Sequence, residues 1–422
     1  MIISKCTWGL ILTLLSMHIF ASENITPKEE LHVPKSKSAI NQEYPFVYKI
    51  NDMKVTNVQQ STLLKKYFDP SYIPEKALAK NITTSSYNIT SVSSFQRANF
   101  LLSGFAEVSF EKTEGRHSSF GANRFDPIFI ASYKDLLIWR SQLEFTIDGQ
   151  GTTDTTLEYS YFDFHINPKA IIVLGKFLYP GGKFFNSLYL PWQNKLPTAP
   201  VGFDENGAAP EADIGLQLRG NFQLSDYMSL NYTIFVLNGP EMVAEIDGPE
   251  MSSLGFPVDV DGHKIIGTRI GYFLIPQLEI GISGSSGKVG LFVNDIMVGE
   301  PRDYYLLGTD INFNYRDFDL RGEFIEQHVD SSSPSSFPNS AKWAAGYIQA
   351  AYKFLPPHWE GIVRYSNFSS ANAGQTQSQW AFGLNYWIAP TILIKCAYEM
   401  NQGKEGTFTD ANQFLINFVF GF

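Results

Sequence analysis

Cysteine is nearly absent from this chain, with 2 in 422 residues, Cys6 and Cys396. Cys6 falls in the leader, so the mature chain keeps one thiol and no internal disulfide. A lone strand cysteine such as Cys396 behaves as a small hydrophobe. Cys6 precedes the apolar core of the leader instead of following it, which argues against a lipoprotein anchor. Long apolar runs are missing as well. The first segment carries the one candidate, Trp8 to Phe20, and it is short for a spanning helix. Lys5 before it and the small residues Ala21 and Ser22 after it make residues 1–22 a secretory signal peptide. An exported chain without a spanning helix can enter a membrane only as a closed barrel, because only closure satisfies every backbone group.

Basic runs are absent, and the formal net charge is -10. That balance excludes a nucleic-acid partner on electrostatic grounds. Catalytic and metal signatures are absent too. There is no G-x-S-x-G, no Walker A and no C-x-x-C. The 7 histidines are scattered without ligand spacing. Asp259-Val-Asp-Gly-His263 suggests a cation loop but lacks the further spaced carboxylates of a calcium site. With Glu241, Glu245, Asp247 and Glu250 it reads as an acidic surface loop. The sequence predicts no enzyme, no metal and no cofactor.

Aromatics are what the chain has in abundance: 34 Phe, 21 Tyr and 7 Trp. They fall in alternating segments. Leu137, Trp139, Ser141, Leu143, Phe145 and Ile147 share one face of a strand. Ile138, Arg140, Gln142, Glu144, Thr146 and Asp148 share the other. Two faces this different fit lipid outside and water inside. Similar segments lie near 99–111, 127–134, 155–166, 170–178, 214–224, 230–236, 264–274, 277–283 and 305–313. Others lie near 318–324, 343–354, 359–367, 380–386, 392–398 and 414–422. Gly/Pro/Asn/Asp/Ser turns separate them. The prediction is all-β: a transmembrane antiparallel up-and-down barrel of about sixteen strands, wide enough for an aqueous channel. Residues 99–422 form it. Residues 23–98, rich in Ser, Thr, Asn, Lys and Pro, make a mostly flexible periplasmic extension. Short turns such as Tyr315–Asp317 face the periplasm, and long connections such as Asn238–His263 and Val329–Ala341 face outward.

Strand parity then assigns the charges. Arg140, Glu144, Asp148, Arg219, Arg269, Arg321, Glu323, Glu360, Arg364, Lys395 and Glu399 point to the lumen, because charges facing lipid cost several kcal/mol near mid-membrane. Opposed acidic and basic walls would orient permeating polar solutes. One connection, Tyr179–Ala212, is too long and too rich in Pro and aromatics for a turn. It either packs outward on neighbouring loops or folds into the lumen and narrows the pore; constriction is the reading taken. Its members would be Lys183, Phe184, Phe185, Tyr189, Trp192, Lys195, Asp204 and Glu205.

The runs Val173-Leu-Gly-Lys-Phe177, Tyr189-Leu-Pro-Trp192, Asn194-Lys-Leu-Pro197, Ala209-Pro-Glu211 and Gly215-Leu-Gln-Leu-Arg-Gly220 resemble outer-membrane porins of the phosphate-selective porin O/P group. The resemblance implies a loop-constricted barrel, often a homotrimer, in the outer membrane of a Gram-negative bacterium. It does not carry over phosphate selectivity, since those members rely on lumenal Arg and Lys ladders and this chain is acidic. The architecture also resembles the non-energised siderophore-uptake barrels of Legionella-type bacteria. The final alternation Phe414, Ile416, Phe418, Phe420, Phe422 is similar to the C-terminal signature of such barrels, so Phe418, Phe420 and Phe422 would be read by the barrel-assembly machinery. The expected function is passive diffusion of small polar or charged solutes, with outer-membrane lipids as surroundings. The alternative is a siderophore-type uptake receptor.

Overall fold

The computed structural model describes residues 98–422 apart from 148–150, 168, 205, 246–247, 253–254, 256–258, 295, 333–336, 338 and 356–357; the side chains of 122–123 are also not described. The expected signal peptide and almost all of the expected extension lie outside the described residues, as do Asp148 and Glu205.

Sixteen antiparallel strands close into one barrel. Each of the segments picked out by alternation is one of them, from Ala98–Thr113 to Gln413–Gly421. The last strand returns to the first, with Phe105 opposite Gly421 and Thr113 opposite Gln413, so the wall has no open edge.

Alternation sorts the side chains as a lipid-spanning wall requires. On the last strand Phe414, Phe418 and Phe420 are exposed, while Leu415 and Val419 between them are buried. Tyr365, Trp380 and Met400 lie side by side on the outer face of three adjacent strands. The Tyr365 and Trp380 rings sit 4.9 Å apart. One step further toward the long-connection end, the same rows turn polar with Asn367, Ser378 and Gln402. Ion pairs Lys342–Glu326 and Lys288–Asp303, at 2.8 and 3.2 Å, lie on the same side of the barrel's apolar belt.

Two of the long connections carry structure that alternation does not reveal. Glu241–Glu245, Gly248–Ser252, Leu291–Val293 and Ile296–Met297 form a separate four-stranded sheet. It joins two different connections through a short parallel pairing of Leu291 with Met242. Its paired Met242 and Met251 are buried. Asp259–His263 turns back on itself: Asp259 accepts from the Gly262 N–H and Asp261 from the His263 N–H. No metal-ligand cluster is found among the described residues.

A barrel this wide leaves an interior that its own side chains cannot fill. The connection after the strand Ala170–Leu178 enters that space.

Candidate functional site

The connection leaves the wall at Tyr179 and returns at Glu211, where the Tyr179 N–H donates to the Glu211 carbonyl at 2.8 Å. Between these points its backbone is held by wall side chains. Glu323 begins the series. Its two carboxylate oxygens accept from the N–H groups of Lys183 (2.9 Å) and Phe184 (2.8 Å). Gly182 lets the chain pass this close, since a Cβ there would lie 2.6 Å from Glu323 Oε1. The Lys183 ammonium reaches the next strands to pair with Glu279 at 2.7 Å.

Cations of the strand that carries Glu323 and of the strands beyond it hold the next stretch by its carbonyls. Arg321 donates to Gln193 O at 2.6 Å. Lys395 donates to Asn194 O and Leu196 O at 2.9 and 3.2 Å. Arg364 donates to Thr198 O and Ala199 O at 2.9 and 3.0 Å. Asn385 donates to Lys195 O at 2.8 Å, and the Lys195 ammonium pairs with Glu360 at 2.5 Å. Further on, Gln327 donates to Gly207 O at 2.9 Å. Hydrogen bonds to charged groups contribute about 1.5–3 kcal/mol each, roughly twice a neutral one. Several of them acting on one backbone make a firm attachment.

Apolar side chains fill the gaps between these bonds. Phe184, Phe203 and Tyr347 pack edge to face, with ring centres 5.2 to 6.2 Å apart. Trp192 meets Phe105 edge on at 5.9 Å. Leu196 is fully buried among Ala351, Ile362, Ala381 and Ala397 of the wall. Gly383 completes that socket: a Cβ there would come within 2.5 Å of a Leu196 methyl. Tyr189 donates its hydroxyl to Glu158 at 3.1 Å and also bonds Arg124.

The charges expected to face a water-filled bore are therefore placed differently. Arg140, Arg269, Arg321, Glu323, Glu360, Arg364, Lys395 and Glu399 do sit on inward positions, but all are at most 9% exposed. The connection covers some, and the rest pair along the wall. Arg140 meets Asp163 at 2.5 Å, and Arg219 shares that carboxylate at 2.8 Å. Arg269 pairs with Asp310 at 2.7 Å and Glu279 at 3.1 Å. Glu144 pairs with Arg124. Of the expected loop residues, Lys183, Phe184, Phe185 and Lys195 are buried, Tyr189 and Trp192 less so, and Asp204 is exposed. Sequence reasoning missed Arg124, Asp126, Asp163, Glu279 and Asp310. Parity along their strands was the signal that could have found them.

One flank of the connection is open. A cleft separates it from the wall, with room of about 50 Å³ for water-sized molecules. The wall contributes Arg140, Gln142, Tyr159 and Tyr161, and the connection contributes Phe185, Asn186, Ser187, Tyr189, Leu190 and Gln193.

No protein-family profile matches the chain. An uncharacterised protein of Aquifex aeolicus is 22% identical over 326 residues, 68% of this chain and 72% of that one. The outer-membrane channel DcaP of Acinetobacter baumannii superposes with a TM-score of 0.52 at 12% identity, covering 78% of this chain and 99% of that one. Salmonella typhi OmpF, solved with daunomycin, gives 0.52 at 14% identity over 76% and 97%. The chain has the fold of a porin-like β-barrel. A loop-deleted OmpT of Vibrio cholerae, with a TM-score of 0.50 at 12% identity over 77% and 99%, has the same fold. At these identities the likeness is one of fold, so what passes through this porin-like barrel has to be argued from its own residues.

Proposed function

We propose that the protein is a passive outer-membrane channel for small polar solutes, narrowed by the connection Tyr179–Ala212. One observation carries this reading: inward side chains of the strands Phe318–Val329, Trp359–Ser369, Gln377–Ala389 and Ile392–Gln402 hold the connection's backbone against the wall at points from Lys183 to Gly207. A segment so fastened obstructs the bore instead of lying over its mouth. The finer kinship with the phosphate-selective O/P group rests on the motifs between Val173 and Gly220. Phosphate selectivity is no part of the proposal, because Arg321, Arg364 and Lys395 spend their donors on backbone carbonyls. Trimeric assembly, and recognition of Phe418, Phe420 and Phe422 by the assembly machinery, follow from the resemblance. Chemical cross-linking in native membranes tests the first.

Deleting Phe184–Gly207 is expected to raise single-channel conductance in planar bilayers. Unchanged conductance would refute the constriction. A wild-type barrel that stays silent in bilayers yet binds a ligand saturably would favour the uptake receptor instead.

A further inference from the structure

We infer that the cleft between the connection and the strands Leu137–Ile147 and Thr153–Asn167 is the residual passage, and that it selects small uncharged solutes rich in hydrogen-bonding groups. The inference rests on the channel reading above and names its solute class.

Geometry points to this flank. Elsewhere the connection packs on the wall through apolar contact: Phe184 and Phe203 against Tyr347, Leu196 in its wall socket, and Trp192 on Phe105. Against Arg140, Gln142, Tyr159 and Tyr161 it leaves space.

Chemistry points to uncharged solutes. Arg140 is the one ionisable group of acid or base type lining the cleft, and Asp163 holds it at 2.5 Å. Behind the lining, Arg219 completes that cluster, and Arg124 pairs with Asp126 and Glu144. Counted over this neighbourhood, Arg124, Arg140, Lys176 and Arg219 oppose Glu107, Asp126, Glu144, Glu158, Asp163 and Glu211, so the two signs are interspersed with a small acidic excess, and the arginines are engaged by carboxylates. An ion entering would lose hydration and find no free counter-charge. A neutral solute meets the amides of Asn186 and Gln193, the Ser187 hydroxyl, and the aromatic surface of Tyr159 and Tyr161. Aromatic surface with a few amides and hydroxyls suits short polyols.

Size narrows the class. The cleft has room for only a few water-sized molecules, so short polyols are the expected cargo and a disaccharide is expected to be too large.

The test uses the full-length protein in planar bilayers and in liposomes. Wild type should show a zero-current potential near zero across a potassium chloride gradient. Liposomes should swell in glycerol several-fold faster than in glucose, and not in sucrose. Asn186→Asp should shift the zero-current potential toward cation selectivity, and Gln193→Lys toward anion selectivity. Opposite shifts in two variants cannot arise from loss of folding. A conducting channel whose selectivity neither variant moves, or one that admits sucrose as fast as glycerol, overturns this inference alone. Absence of conductance and of swelling in every solute overturns the channel reading with it.

Discussion

Arg364 has no exposed surface, and its guanidinium fork serves Thr198 O, Ala199 O and Gln379 Oε1 together. Lysine, with one compact ammonium, cannot span those acceptors. Arg364→Ala would also leave Glu399, 3.8 Å away, buried beside an empty space. The expected cost is about 3–5 kcal/mol, seen as a lower urea midpoint for barrel unfolding in lipid vesicles. Gly383 makes a sharper test of the socket under Leu196. Gly383→Ala places a methyl 2.5 Å from Leu196 Cδ2, and overpacking of this kind costs about 1–3 kcal/mol. Leu196→Ala alone costs about 2–5 kcal/mol. The pair should cost clearly less than the sum, because the two changes relieve each other; additive losses in the same unfolding assay would place Leu196 outside that socket.

Strands were legible because lipid on one side and a filled lumen on the other force a period of two. Leu137 to Ile147 shows it in the letters alone, and the structure has a strand at those residues. The connection was legible as an anomaly, from its Pro and aromatic content. What Arg364 and Lys395 hold on the connection was not: the backbone carbonyls they bond there lie 165 to 201 residues away, and no side-chain pattern marks a carbonyl. The small sheet escaped because its strands run 2 to 5 residues, too short for alternation to register. The closing strand carries a prediction of its own. Phe418 is exposed on the outer face while its neighbour Val419 is fully buried. Phe418→Arg should destabilise the barrel by about 2–4 kcal/mol if it sits near the bilayer midplane. Folded barrel migrates apart from unfolded chain on unheated gels, and the ratio of the two bands measures the loss.

Closure belongs to the molecule as a whole. Gln413–Gly421 pairs with Ala98–Thr113 on one side and Ile392–Gln402 on the other. Without residues 413–422 both neighbours become open edges in lipid, where each unpaired backbone group costs several kcal/mol. That truncation is expected to leave no heat-modifiable band at all, whereas deletion within the connection should leave it intact. The contrast separates the tube from what fills it. The grip on the connection has a consequence for how the protein changes over generations. Glu323, Lys395 and Arg364 reach mainly for peptide groups, which every residue type supplies. Side chains such as Asn186 and Ser187 can thus be rewritten by drift without loosening the insert. A lineage could retune which nutrients it admits by swapping a few letters, while the scaffold that grips the insert stays untouched.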